Sequence, residues 1–195
     1  MTNLILFSNP IDTVLEAIRP HMSHKLYQKV AYMPSDGANQ QEKYEIFWQD
    51  YVEEGGGSMV IINNSLTGKL AKLEGEKILN SDVLIITGGN TFKLLKYLRD
   101  SGLDEYVINF YKNDGLIVGL SAGAMVLSPT IAIASIGKDA DENAVGLKDF
   151  TGLGIIDFEI FPHYIREKHE KYVDKYENCS LCEVKRLTDD DFLII

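Results

Sequence analysis

Cysteine is scarce: 195 residues hold two, Cys179 and Cys182. That excludes a disulfide framework, and a single Cys-x-x-Cys with no second pair, His-x-x-x-His or Glu-x-x-His spacing is a poor basis for a metal site. Cys179 follows a helical segment instead of opening one, so a redox pair is not indicated either. Positive charge is also short, 19 Lys and Arg against 29 Asp and Glu for a formal net charge of −10. No basic block is long enough to neutralise a run of phosphates, so neither nucleic acid nor an anionic membrane is an expected partner. The start, Met1-Thr2-Asn3-Leu4, lacks the basic segment and long apolar stretch of a secretory signal, and a cytoplasmic location is expected. Residues 115–137 carry no charge and are long enough to span a bilayer. However, Ser121, Ser128-Pro129-Thr130, Ser135 and repeated glycines break that run into a strand, a turn, a helix and a further strand-like piece.

What is present is an ordinary globular balance, 45% hydrophobic and 25% charged, over a length that suits one domain, 1–195, with one core. Short apolar, β-branched runs alternate with longer amphipathic ones. The expected strands are Leu4–Phe7, Val30–Met33, Met59–Ile62, Val83–Ile86, Leu116–Gly119, Ile131–Ala134, Asp157–Ile160, Glu183–Arg186 and Phe192–Ile195. The expected helices are Ile11–His21, Gln41–Glu54, Leu66–Leu79, Thr91–Ser101, Leu103–Asn113 and Ile165–Glu177. Asn90 or Thr91 caps the fourth helix and Gly102 stops it. This alternation predicts an α/β fold, a three-layer, doubly wound, mostly parallel sheet of flavodoxin-like type. The last apolar run has no turn after it, which leaves room for a partner strand beyond.

The strand Leu116–Gly119 leads into Gly119-Leu120-Ser121-Ala122-Gly123 and a helical Met125-Val-Leu127, a Gly-x-Ser-x-Gly between a buried strand and a helix. In such an elbow the serine sits on a sharp turn, small neighbours relieve crowding, and the first helical amides, above all that of Ala122, face a developing oxyanion. A serine hydroxyl needs a base. His21 and His24 fall at the end of the first helix and in its loop, and His169, in Arg166-Glu-Lys-His-Glu-Lys171, reads as a solvated helical face. His163, in Phe161-Pro162-His163-Tyr164, instead follows a strand and should lie at a carboxyl sheet edge, where ligand sites collect in open α/β sheets. A third group would orient the imidazole, and Asp189-Asp190-Asp191 offers three carboxylates downstream. Thr87-Gly88-Gly89-Asn90 offers backbone amides that could approach a bound carbonyl.

Three stretches together resemble the peptidase E family, serine peptidases with a class I glutamine-amidotransferase-like fold that include aspartyl dipeptidases and cyanophycinases. Ile117-Val-Gly-Leu-Ser121-Ala-Gly-Ala124 with Pro129-Thr130-Ile131 is similar to the family's nucleophile segment, Gly88-Gly-Asn-Thr-Phe92 to its Gly-Gly-Asn-Thr loop, and Pro162-His163 to its histidine motif. The similarity runs from Leu4 to the end. It implies Ser121 as nucleophile, His163 as base and acid, and Gly88 or Gly89 with Ala122 as oxyanion donors. The family's third member, often Glu, corresponds to Asp189 in preference to Asp190, and Asn90 and Thr130 become candidate substrate-binding residues. No cofactor and no metal is implied, the substrate is a small peptide, and the protein is expected as a monomer or homodimer.

One segment departs from the resemblance. Where aspartyl dipeptidases carry Arg and then Asp after Pro-Thr-Ile, this chain reads Ala132-Ile133-Ala134-Ser135-Ile136. An apolar wall cannot repay desolvation of a substrate carboxylate, which argues against strict Asp-X specificity. Two other readings compete. A serine esterase with the order Ser, acid, His would draw its acid from Asp139, Asp141, Glu142, Asp149 or Asp157. A non-catalytic, small-ligand-binding relative would keep the fold without turnover. A glutamine amidotransferase would need Cys in place of Ser121.

Overall fold

The computed structural model describes residues 3–22, 28–37 and 42–195. His24 and Gln41 lie outside them. The strands are β1 (Leu4–Phe7), β2 (Lys29–Met33), β3 (Ser58–Ile61), β4 (Val83–Ile86), β5 (Leu116–Leu120), β6 (Glu159–Phe161), β7 (Val184–Arg186) and β8 (Phe192–Ile194). The helices are α1 (Asp12–Met22), α2 (Glu42–Glu54), α3 (Gly68–Leu79), α4 (Thr91–Ser101), α5 (Leu103–Lys112), α6 (Ala122–Met125) and α7 (Arg166–Glu177).

Strand β1 shows why the sheet is sandwiched. All four of its side chains are apolar and buried, and the two-residue period sends Leu4 and Leu6 to one face and Ile5 and Phe7 to the other. Both faces must therefore be covered, as in parallel sheets generally. Val14 and Ile18 of α1 and Trp48 and Val52 of α2 join the cluster around Ile5 and Phe7. Ile78 of α3, Leu94 and Leu98 of α4, and Val107 of α5 join the cluster around Leu4 and Leu6. The six-stranded sheet has the order β3-β2-β4-β5-β1-β8, parallel throughout except for β8, which runs antiparallel along β1. This is the expected three-layer α/β arrangement. Caps fall where the sequence places them: the Asn90 side chain accepts from Lys93 N at 2.9 Å, and Gly102 ends α4 in the left-handed conformation, φ 75°.

Three expectations are corrected. Ile131–Ala134 is not a strand: Ala132–Ser135 forms a 3-10 turn, because the Thr130 hydroxyl accepts from Ala132 N at 3.1 Å and Thr130 is held in an isolated antiparallel bridge to Thr151. The strand expected at Asp157–Ile160 begins two residues later and stays out of the main sheet. As β6 it pairs in parallel with β7 in a separate two-stranded sheet. His169 does not face solvent; it is 4% exposed, packed among the rings of Phe161, Tyr164 and Tyr172 in edge-on and tilted contacts.

The small sheet is fixed by a buried carboxylate. Glu159 of β6 is fully buried and accepts from Tyr176 Oη at 2.7 Å and Ser180 Oγ at 2.8 Å, so both carboxylate oxygens are satisfied. Burial, and then the adjoining carboxylate, push the Tyr176 phenol well above its ordinary value. On β7, Arg186 bridges Asp174 and Glu177 of α7 at 2.7 and 2.8 Å. Helix, strand and following loop are thus joined by directional bonds as well as by apolar contact.

Candidate active site

Strands β1 and β5 run side by side to their carboxyl ends, where Phe7 is in register with Leu120. Ser121 N–H then donates to Phe7 O at 2.9 Å, and the chain turns sharply, with Ser121 at φ 50°, ψ −112°. Such a conformation in a non-glycine residue stores about 1–3 kcal/mol of strain and persists only where the surroundings over-determine it. They do so here. A Cβ at Gly123 would lie 2.0 Å from Ile86 O, so only glycine lets the turn sit against β4.

His163 arrives from β6. Its backbone, also at positive φ (53°), donates from N–H to Ser8 Oγ at 3.2 Å, and that hydroxyl donates to Leu187 O at 3.0 Å. Ser8 is the buried residue just past β1, so one hydroxyl ties the main sheet's edge to the histidine and to the segment after β7. The imidazole bridges two side chains: Nε2 lies 3.1 Å from Ser121 Oγ, and Nδ1 lies 2.6 Å from Asp189 Oδ1. Asp191 shapes the loop, its Oδ2 accepting from both N and Oγ1 of Thr188 at 2.8 Å. Asp189, not Asp190, thereby meets the ring. The pair is half-exposed.

Gly88 and Gly89 border the same serine. A Cβ on Gly88 would stand 3.1 Å from Ser121 Cβ, and one on Gly89, which has φ 141°, would stand 2.0 Å from Ser35 Oγ. Among the described residues no acceptor takes the amides of Gly88, Gly89 or Ala122, which leaves three donors around Ser121. Helix α6 has only four residues, too few for an appreciable macrodipole, so these amides act singly.

Two cavities flank the Ser121–His163 contact. The smaller, about 250 Å³, is lined by Ser8, Asn9, Trp48, Thr87, Gly88 and Leu120. The larger, about 420 Å³, has apolar walls from Met125, Ile133, Ala134 and Ile136 and carries Asp139 and Asp141. The two expected substrate-binding residues, Asn90 and Thr130, lie in neither. Asn90 spends its side chain on Lys93 N and on Glu142 O, 2.8 Å from its Nδ2, while Thr130 caps the 3-10 turn. Both are structural ties. Three of the five carboxylates open to an esterase order are engaged elsewhere: Asp139 with His169, Asp141 with Thr91 N at 2.8 Å, and Asp149 with Thr151. The Thr151 amide and hydroxyl hold the Asp149 carboxyl below its usual range.

Sequence reasoning missed Ser8, and the signal was slight: a serine directly after a fully apolar strand, before Asn9-Pro10. It also missed that Asp139, Asp141 and His169 share a cavity with Ser121. Among the described residues no group of three or more His, Cys, Asp or Glu is disposed to hold a metal ion, and no helix is long and apolar enough to cross a membrane.

The model of peptidase family S51 matches residues 4–193. The chain belongs to peptidase family S51. It is 36% identical over 104 residues to an uncharacterized peptidase of Listeria monocytogenes, an alignment covering 51% of this chain and 50% of that one. It is 30% identical over 167 residues to peptidase E of Shigella flexneri, covering 83% of this chain and 68% of that one. An uncharacterized peptidase of Pasteurella multocida is 32% identical over 56% of this chain and 54% of its own. The chain thus spans about half the length of the two uncharacterized peptidases. In structure, a Listeria monocytogenes protein assigned to peptidase E superposes with a TM-score of 0.78 at 24% identity, over 100% of this chain and 94% of that one. A peptidase from an acI-B1 actinobacterium gives 0.64 at 18% identity, over 86% and 70%. At these identities the two structures attest a shared fold.

Proposed function

We propose that this S51 protein is a serine peptidase that hydrolyses small peptides through Ser121, His163 and Asp189, with residues 1–195 acting as one catalytic domain. The observation that carries the reading is the unbroken chain of contacts from Ser121 Oγ to His163 Nε2, and from His163 Nδ1 to Asp189 Oδ1, at 3.1 and 2.6 Å. His163 Nε2 accepts the Ser121 proton as Oγ attacks the peptide carbonyl. Asp189 holds the Nδ1–H tautomer that this requires and steadies the imidazolium that forms. The amides of Ala122 and of Gly88 or Gly89 donate to the oxyanion, each worth on the order of 10²–10³ in rate when such a donor is well placed. His163 then returns the proton to the leaving amine, and water resolves the acyl-enzyme by the same steps in reverse. No cofactor enters this scheme.

The substrate side follows from the larger cavity. Its wall of Ile133, Ala134 and Ile136 carries no charge to match an aspartate side chain, and Lys168, the cation in its lining, is exposed, which favours other small peptides over strict Asp-X cleavage. The free thiols Cys179 and Cys182 suit a reducing cytoplasm.

The test is mass spectrometry of a mixed di- and tripeptide pool, including Asp-X members, incubated with wild type and Ser121→Ala. Cleavage that drops by ~10⁴–10⁶ in kcat in the variant is expected. Ligand binding without Ser121-dependent cleavage would favour the non-catalytic reading instead. Hydrolysis should also weaken on acidification, because a protonated imidazole cannot accept the serine proton.

A further inference from the structure

The larger cavity holds two carboxylates whose placement the peptidase chemistry above does not use. Asp141 Oδ2 accepts from Thr91 N at the start of α4, and the loop is held from the other side by Asp141 N donating to Ala134 O at 2.9 Å. Asp139 Oδ2 lies 3.2 Å from Nε2 of the buried His169. His169 Nδ1 accepts from Ile165 N at 2.8 Å, so the ring proton sits on Nε2 and points to Asp139. Each carboxylate is thus oriented by one N–H donor, and each keeps lone pairs to spare, since an ionised carboxylate offers about four acceptor positions.

Both line the cavity that reaches Ser121 and His163, alongside Met125, Ile133, Ala134 and Ile136, with the exposed Lys168 as its cation among the described residues. Two negative groups against one positive, on an otherwise apolar wall, call for a ligand that brings a cation and an apolar side chain together. An α-amino acyl group with an apolar side chain has that composition. The smaller cavity has no carboxylate in its lining and cannot balance an ammonium, which leaves it for the departing residue.

Resting on the serine-peptidase reading, we infer that Asp139 and Asp141 bind the free α-ammonium of the substrate's first residue while Met125, Ile133, Ala134 and Ile136 receive its apolar side chain. The enzyme therefore removes a single apolar amino-terminal residue. An internal peptide bond has no ammonium to offer and would leave two carboxylates facing an apolar acyl chain.

The experiment compares kcat/KM for Leu-Ala, N-acetyl-Leu-Ala and Asp-Ala in wild type, Asp141→Asn and Asp139→Asn, with fluorophosphonate labelling of Ser121 measured in parallel. Asparagine keeps an acceptor for Thr91 N or for His169, so the loop retains its tie. Wild type should prefer the free amine over the acetylated peptide by ~10²-fold or more, the scale expected when a charge-assisted contact is lost. It should also prefer Leu-Ala to Asp-Ala, and the free-to-acetylated ratio should fall at least ~10-fold in either variant. Equal rates on free and acetylated peptides, a preference for Asp-Ala, or a ratio unmoved by both variants, with Ser121 still labelled, would overturn the inference and leave the peptidase reading standing. Absence of both labelling and hydrolysis in wild type would overturn that reading and the inference with it.

Discussion

Removing one hydroxyl should loosen the histidine without touching any residue that meets the substrate carbonyl. Ser8 is 1% exposed, receives His163 N–H at 3.2 Å and donates to Leu187 O at 3.0 Å. In Ser8→Ala, Leu187 O keeps its other donor, Tyr164 N at 2.8 Å, whereas His163 N–H is left without a partner. An orphaned, partly buried amide costs about 1–3 kcal/mol. For a chain of this length each kcal/mol moves Tm by about 2–4 °C, so the melt should drop by roughly 2–12 °C. Catalysis should suffer separately. His163 occupies φ 53°, and with its tether gone the backbone can relax and carry Nε2 away from Ser121. A displacement of ~1 Å at a reacting group costs up to ~10²-fold. Differential scanning calorimetry, peptide hydrolysis and the rate of phosphonate labelling at Ser121 give three readouts, and the loss should fall on kcat and labelling with KM little changed. A variant that melts with wild type and labels Ser121 at the wild-type rate would refute the idea that Ser8 positions His163.

Three further outcomes are expected. Asp189→Asn should lower kcat by ~10²–10⁴-fold by analogy with other triads, while Asp190→Asn, which touches nothing at the ring, should stay within about threefold; comparable losses at the two positions would reassign the acid. Gly123→Ala would put a methyl 2.0 Å from Ile86 O, in a place bounded by backbone, so a loss of about 1–3 kcal/mol or more and slowed labelling at Ser121 are expected; wild-type values in both the melt and the labelling would contradict the close approach. For Glu177, the Val184 amide and then the Arg186 guanidinium hold the carboxyl below the ordinary glutamate range. Its folded pKa is the lower one, so its stabilisation is complete above the unfolded value and fades as the pH falls through the folded value. The Tm gap between wild type and Glu177→Gln should accordingly be widest near neutrality and close on acidification below the ordinary glutamate range; a gap that grew toward acid would reverse that assignment.

Legibility in the sequence tracked how each residue is buried. Leu4–Phe7 and Val83–Ile86 were readable to the residue because every side chain in them is buried on one face or the other, and a strand between helices is the simplest structure that hides such a run. Ile131–Ala134 has the same look, and Ile131 and Ile133 are indeed buried. There the backbone is bent by a side-chain hydroxyl, Thr130 Oγ1, whose acceptance from Ala132 N hydropathy does not register. His169 was hidden by its neighbours in sequence, Lys168 and Glu170, although its partners at helical spacing, Ile165 and Val173, mark an apolar stripe. Ser121, His163 and Asp189 stood out because each follows or joins an apolar strand. Ser8, which holds the His163 backbone, did not, since it is related to His163 across 155 positions and to Leu187 across 179.

That long-range tie also explains how the site can hold its geometry. Ser121 and His163 both sit at positive φ, and each such residue would gain about 1–3 kcal/mol by relaxing. Ser121 is restrained from both sides: Phe7 O holds its amide, and the turn that follows is wedged against Ile86 O at Gly123. His163 has no sheet of that size under it, because β6 and β7 form a separate two-stranded sheet, which is marginal by itself. Its restraint comes instead from the buried Glu159 pinning Tyr176 and Ser180 on one side and from Ser8 on the other. The distance from Nε2 to Oγ is therefore set by the relative position of two sheets, and substitutions at that junction, far from the reacting atoms, should change the rate as much as substitutions in the cavity walls.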